Sequence, residues 1–146
     1  MPEGASALLQ GKVNLKLLKK CSLIVSLGTG GVSMFALLVC LSAGIRPIIT
    51  SSSDEKLRAI QELSPEVRGM NYKTVPDQAA EINRLTDGKG VNFVINNTGP
   101  KSIPDDISFL CQRGGTVALV GFLNGFDADW EPRRIMDLMS KSASIK

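Results

Sequence analysis

The chain has 146 residues, 43% of them hydrophobic and 21% charged, with a net charge of +3. That describes one domain with room for a real core, too apolar for disorder and too weakly basic for a nucleic-acid footprint. The absence of histidine removes the commonest general base and the commonest zinc ligand together.

Residues 1 to 22 form a polar, basic lead-in with one apolar set at Leu8, Leu9, Val13, Leu15, Leu17 and Leu18. It lacks the basic start and apolar core of a secretion signal, so a soluble, cytoplasmic protein is expected, with no membrane partner. The domain proper is expected over 23–146. Leu23 to Leu27 reads as a strand that ends in the cluster Gly28-Thr29-Gly30-Gly31, and an apolar helix begins at once. Strand, glycine turn and helix N-terminus make the usual cradle for a dinucleotide pyrophosphate. Gly28 makes the tight turn, Gly30 admits the phosphates, and Ser33 stands where the third glycine of G-x-G-x-x-G belongs. The helix is apolar nearly all round (Val32, Met34, Phe35, Ala36, Leu37, Leu38, Val39, Leu41), which predicts cover on more than one side. It is too short for a membrane span, and Gly44 is a natural residue to end it.

Ile45 to Thr50 reads as the second strand, with Pro47 as a blemish tolerated at edges or strand starts. Ser52 with Glu55 three residues on has the pattern of a capping box for the next helix, which runs through Leu57, Ile60 and Leu63 to Pro65. Val67 to Tyr72 is a third strand by position. Pro76 opens a helix through Ala79, Ile82 and Leu85, closed by Asp87-Gly88-Lys89-Gly90. Val91 to Ile95 is a clear strand. Pro104, with Asp105 and Asp106 in the first turn, starts another helix. Thr116 to Phe122 is a fifth, buried strand, and Pro132 begins a last helix through Ile135, Leu138 and Met139. Cys21, Cys40 and Cys111 are odd in number and far apart, which predicts free thiols in a reducing compartment and neither zinc site nor disulfide.

Strand and helix alternate throughout, so the fold class is α/β: a doubly wound, Rossmann-like parallel sheet of about five strands. Its crevice lies beyond the strand ends at the switch point, where Gly28 to Val32 fall.

With these pieces in place, the chain resembles the nucleotide-binding half of the medium-chain dehydrogenase/reductase superfamily, in its zinc-type alcohol dehydrogenase and quinone reductase branches. The resemblance rests on LGTGGVSMFAL at 27–37, TSSSDEKL at 50–57, NYKT at 71–74, RLTDGKGVNFVI at 84–95 and RGGTVALVGFLNG at 113–125. It implies that Gly28, Gly30, Gly31 and Val32 hold the pyrophosphate, and that Ser51, Ser52 and Lys56 meet the adenosine ribose. The place of the acid that reads a ribose 2′-hydroxyl is here a run of serines with Lys56 nearby, which favours NADP(H). Tyr72 falls by the adenosine phosphate, and Asn97, Thr98, Gly121, Phe122 and Leu123 fall where the nicotinamide rests. The family's catalytic domain has no counterpart in this sequence, Pro-Gly-Asp before the first strand is replaced by Lys20-Cys21-Ser22, and a sixth strand is expected to be missing. Thr116 to Leu123 would then be an open edge, covered by a second copy as a homodimer.

The resemblance implies an oxidoreductase acting on a small carbonyl, enone or quinone. A second reading is a non-redox enzyme, an isomerase, cyclase or addition catalyst, that takes an apolar metabolite into the open crevice and uses Tyr72, Lys56, Asp127 or Asp129 as acid or base. A third is a non-catalytic nucleotide-binding or interaction module.

Overall fold

The computed structural model describes the backbone of residues 22–25 and the whole of residues 31–146. The glycines expected to make the first turn, Gly28 and Gly30, and the lead-in through residue 21 lie outside the described residues. The chain runs β1 (Ser22–Val25), α1 (Gly31–Ala43), β2 (Arg46–Ser51), α2 (Asp54–Gln61), β3 (Arg68–Asn71) and α3 (Gln78–Leu85). It continues with β4 (Phe93–Asn96), a 3-10 turn at Pro100–Ser102, α4 (Ile103–Phe109) and β5 (Thr116–Leu119). A second 3-10 turn (Pro132–Ile135), α5 (Asp137–Ser140) and β6 (Ser144–Ile145) complete it.

The strands form one parallel sheet in the order β3-β2-β1-β4-β5-β6. The order reverses direction between β1 and β4, which opens a crevice beyond their C-terminal ends. Helices cover both faces, as a parallel sheet requires. Alternating residues of each strand therefore enter different cores. Ile49 and Ile95 pack with Ala36, Leu37 and Cys40 of α1 and with Leu57 and Ile60 of α2. Their neighbours Ile48 and Val94 join Val117, Ile82 of α3 and Ile103 and Ile107 of α4 on the opposite side. Burial in the first core pushes the Cys40 thiol up to about 12, which makes it an inert core residue.

Several local expectations hold. Gly44 ends α1 at φ 71°, with Ile45 N–H donating to Cys40 O at 2.9 Å, a Schellman closure. Pro47 lies one residue before β2 begins to pair with β3 at Ile48, a strand-start position where a lost donor is tolerated.

Others are corrected. Among the described residues the sheet has six strands: Ser144 and Ile145 pair with Thr116 and Val117, and Leu119 N–H reaches Lys146 O at 2.8 Å. The edge expected to be open from Thr116 to Leu123 is thus closed within the chain over Thr116–Leu119. A two-residue strand with one apolar side chain carries no periodicity, so the sequence pattern did not expose it. β5 itself stops at Leu119 rather than Phe122, because the chain turns into the loop that carries Gly121. The cap of α2 is Ser53, which accepts from Lys56 N–H at 3.4 Å, one residue later than the capping box expected at Ser52. Ser51 takes the Ser53 N–H at 3.2 Å and moves the helix start along. α1 is covered on one side only: Ser33, Ala36, Leu37 and Cys40 are buried, while Val32, Phe35 and Leu38 are 44%, 42% and 56% exposed. The last helix is broken into the second 3-10 turn and the short α5. Behind it, Lys141 places its ammonium on three carbonyls at the end of α4, those of Ile107, Ser108 and Leu110, at 3.1, 3.3 and 3.1 Å. A cation there satisfies carbonyls that the helix leaves unpaired.

Candidate functional site

The crevice has two ends, set by different strands. At the β2–β3 end, Ser51 is buried and closes β2, Ser52 and Lys56 are exposed, and Tyr72 is half-buried. Tyr72 N–H donates to Ser51 O at 3.1 Å, so the two predicted residues are brought together at the strand ends. The nearest acid is Asp54, first residue of α2, and its carboxylate accepts from Asn71 Nδ2 at 2.9 Å. That bond ties α2 to β3. Lys73 lies exposed just past β3, beside Tyr72, and adds a second cation to this end.

At the β4–β5 end, two loops are zipped together. Asn97 O accepts from Leu123 N–H at 3.1 Å and Thr98 O from Asn124 N–H at 2.8 Å. The approach is close enough that a Cβ on Gly121 would stand 3.0 Å from Asn97 O. Gly99 is required twice over: its φ is +125°, and a Cβ there would stand 2.5 Å from Gly125 O. Asn97 also donates to Ser33 Oγ at 3.2 Å, which ties this floor to the first turn of α1. Ser33 is 1% exposed, so the residue replacing the third glycine packs closely and adds a polar link. Beyond the zipped loops, Phe122 and Phe126 stack at 4.5 Å, and Leu123 is 75% exposed.

Beneath the floor lies a network that sequence reasoning missed. Asn96 is fully buried. Its Oδ1 accepts from Thr98 N–H at 2.8 Å, Thr98 Oγ1 at 2.9 Å and Gly99 N–H at 2.9 Å. Its Nδ2 donates to Gly99 O at 3.0 Å, Ser102 Oγ at 2.9 Å and Asp106 Oδ2 at 2.6 Å. Asp106 is only 3% exposed. Burial pushes its carboxyl up to about 7, the Asn96 amide and Ser102 hydroxyl oppose that rise, and the charge of Asp105 adds to it. In the sequence Asp106 reads only as a first-turn acid; nothing local signals that it turns inward. Thr98 and Ser102 also border a cavity of about 310 Å³, walled further by Lys101, Asp129, Trp130 and Arg134.

Gly31 and Val32 open α1 at the switch point, both exposed, with open space where a Gly31 Cβ would stand. A pyrophosphate would find room and backbone donors there. The predicted acid–base candidates are divided between the two ends of the crevice. Tyr72 follows β3, Lys56 is on α2, and Asp127 and Asp129 are on the loop after β5, where Asp129 pairs with Lys101 at 3.7 Å. Among the described residues no cluster of three or more His, Cys, Asp or Glu could hold a metal ion. No helix among them is long and apolar enough to cross a membrane.

Residues 31–146 match the family model described as zinc-binding dehydrogenase. A zinc-type alcohol dehydrogenase-like protein of Schizosaccharomyces pombe is 40% identical over 100 residues, 68% of this chain and 28% of that one. Among solved structures, 2-haloacrylate reductase superposes with a TM-score of 0.79 at 26% identity, over 98% of this chain and 42% of that one. A mycobacterial protein complexed with NADPH gives a TM-score of 0.76 at 26% identity, over 98% and 43%. The chain therefore spans less than a third of that curated relative and about two fifths of those structures.

Proposed function

The chain belongs to the zinc-binding dehydrogenase family of the medium-chain dehydrogenase/reductase superfamily, and from that premise we propose that it binds NADP(H) across the crevice as the nucleotide-binding part of an oxidoreductase. The observation that carries the reading is the interlocked floor of Asn97, Thr98 and Gly121 to Leu123, tied through Ser33 to the helix that opens at the switch point. A flat ring would lie against the backbone of these loops, with a phosphate at the start of α1. Preference for the 2′-phosphate over a free ribose is supported by Ser52 and Lys56 at the end of β2. The nearest acid, Asp54, is turned to Asn71, so it is not presented as a reader of the 2′-hydroxyl.

When bound, the cofactor supplies the hydride chemistry; the residues of this chain bind it, orient it and screen it from water. The substrate class we assign is a small carbonyl, enone or quinone, in keeping with the name of the similar 2-haloacrylate reductase. The remaining cleft would come from the other parts found in the longer relatives or from a second copy over Phe122, Leu123 and Phe126. Titration with NADPH and NADH, followed by nicotinamide fluorescence, tests the reading. Saturable binding with NADPH preferred is expected. Binding of neither overturns it, and NADH preferred over NADPH overturns the assignment of the β2 end.

A further inference from the structure

We propose that Asp106 is a positioning residue for the cofactor floor: through Asn96 it sets the turn at 97–99, and through that turn the loop at 121–125 on which a nicotinamide would lie. The inference rests on the NADP(H) reading for its consequence, but its geometry is independent of any cofactor.

The Asn96 amide has fewer hydrogens than acceptors around it. An amide nitrogen carries two, and Asn96 Nδ2 has three acceptors within 3.0 Å: Gly99 O, Ser102 Oγ and Asp106 Oδ2. They compete. A neutral Asp106 takes a modest share, whereas an ionised carboxylate is the stronger acceptor and draws the amide from Gly99 O. It also draws the Ser102 hydroxyl, 3.4 Å away, from its 2.6 Å contact with Thr98 Oγ1. Both shifts loosen the same turn. That turn is bonded to the second loop through Asn97 O and Thr98 O, so its slack reaches Gly121 to Asn124.

The surroundings favour a change of charge at ordinary pH. Asp106 loses its proton near 7 because burial opposes the charge. β4 and β5 bring no charged side chain against α4. Of the charged neighbours, Asp105 acts on Asp106 directly and is itself paired with Arg134 of the second 3-10 turn at 3.1 Å. Arg133 of the same turn pairs with Glu131 at 2.6 Å. Lys101 of the first 3-10 turn pairs with Asp129, Glu81 and Arg84 of α3 pair with each other, and Lys141 beyond α5 is held by the carbonyls of α4. Asp137 of α5 and Asp77, the N-cap of α3 that lines a cavity with Asp105, are the other ionisable groups on the packed elements.

The chain carries its own reporter. Its single tryptophan, Trp130, donates from Nε1 to Pro100 O at 2.9 Å, one residue past the turn. The experiment follows Trp130 emission and NADPH affinity between about pH 5.5 and 8.5 in the wild-type protein, Asp106→Asn and Ser102→Ala. In the wild type, Trp130 emission is expected to titrate near neutrality without cofactor, and NADPH affinity to fall about threefold or more over the same interval. Asp106→Asn should flatten the emission curve, and should remove the wild-type excess over any slope due to the cofactor's own phosphate. Ser102→Ala removes a hydroxyl that stabilises the carboxylate, so its emission midpoint should move to higher pH; this arm stands if Asp106→Asn fails to fold. A flat emission curve in the wild type, or an Asp106→Asn curve that still titrates, overturns the inference. If the wild type binds no NADPH at any pH while Trp130 titrates only when Asp106 is present, the cofactor reading falls and the clamp on the turn stands.

Discussion

The two ends of the crevice are built on opposite principles. At the β2–β3 end, Ser52 and Lys56 are exposed among local caps, Ser51 to Ser53, Ser53 to Lys56 and Asn71 to Lys73, and one part-buried link, Asn71 to Asp54, ties α2 to β3. At the β4–β5 end the determinants are buried: Asn97 to Ser33, 64 residues apart, and Asn96 to Asp106, ten apart. The first end recognises by charge offered to solvent, the second by a shape held from below. Charge on a surface can be exchanged at little cost to the fold, whereas a buried polar network fails as a unit. Mutations should therefore separate the ends, with stability lost at one and selectivity at the other.

The sharpest break is expected from Asn96→Ala. It strips partners from Asp106, Thr98 and Gly99 together, and a loss of roughly 3–5 kcal/mol in denaturant unfolding is expected from several buried groups left unpaired. A loss below about 1 kcal/mol would refute the picture of a buried clamp. Gly99→Ala comes next, at about 3 kcal/mol, because the φ of +125° and the 2.5 Å approach to Gly125 O both oppose a side chain. Stability should also follow pH through Asp106. The folded protein keeps that proton to about 7, whereas the unfolded chain releases it near 3.8. The folded state binds more protons in between, so stability is greatest below that interval and declines as pH rises through 7. Asp106→Asn should flatten the decline in thermal melts taken across the range. At the other end, Lys56→Glu should leave the melting temperature in place and cost about tenfold in the preference for NADPH over NADH. The smallest effect belongs to Ser33→Ala, about 0.5–1.5 kcal/mol for one hydrogen bond.

The same contrast explains what could be read from the chain in advance. The strand–helix alternation, the closure at Gly44 and the serine-rich end of β2 depend on neighbours in sequence, and they were legible. Asn97, Thr98 and Gly121 were legible as a place but not as a mechanism, because the zipper between their loops depends on the β4–β5 register. Asp106 was legible only as a charge at a helix start; its inward turn is decided by the 3-10 turn at Pro100–Ser102, which delivers α4 with that face toward Asn96. The sixth strand escaped for a simpler reason, being too short to carry a pattern. The start of α2 moved by one residue because Ser51, Ser52 and Ser53 are equivalent in composition and only the backbone distinguishes them.

Lys141 has a consequence in chemical reactivity. A half-buried ammonium seated on three carbonyls is shielded by the end of α4, so it should react slowly with acylating reagents compared with the exposed Lys56 and Lys73. Acetylation there would remove the charge and unseat the end of α4, while Lys141 O holds Gly114 N–H at 2.8 Å on the approach to β5. Mass-resolved lysine labelling would show that site protected until the C-terminal segment lifts from α4.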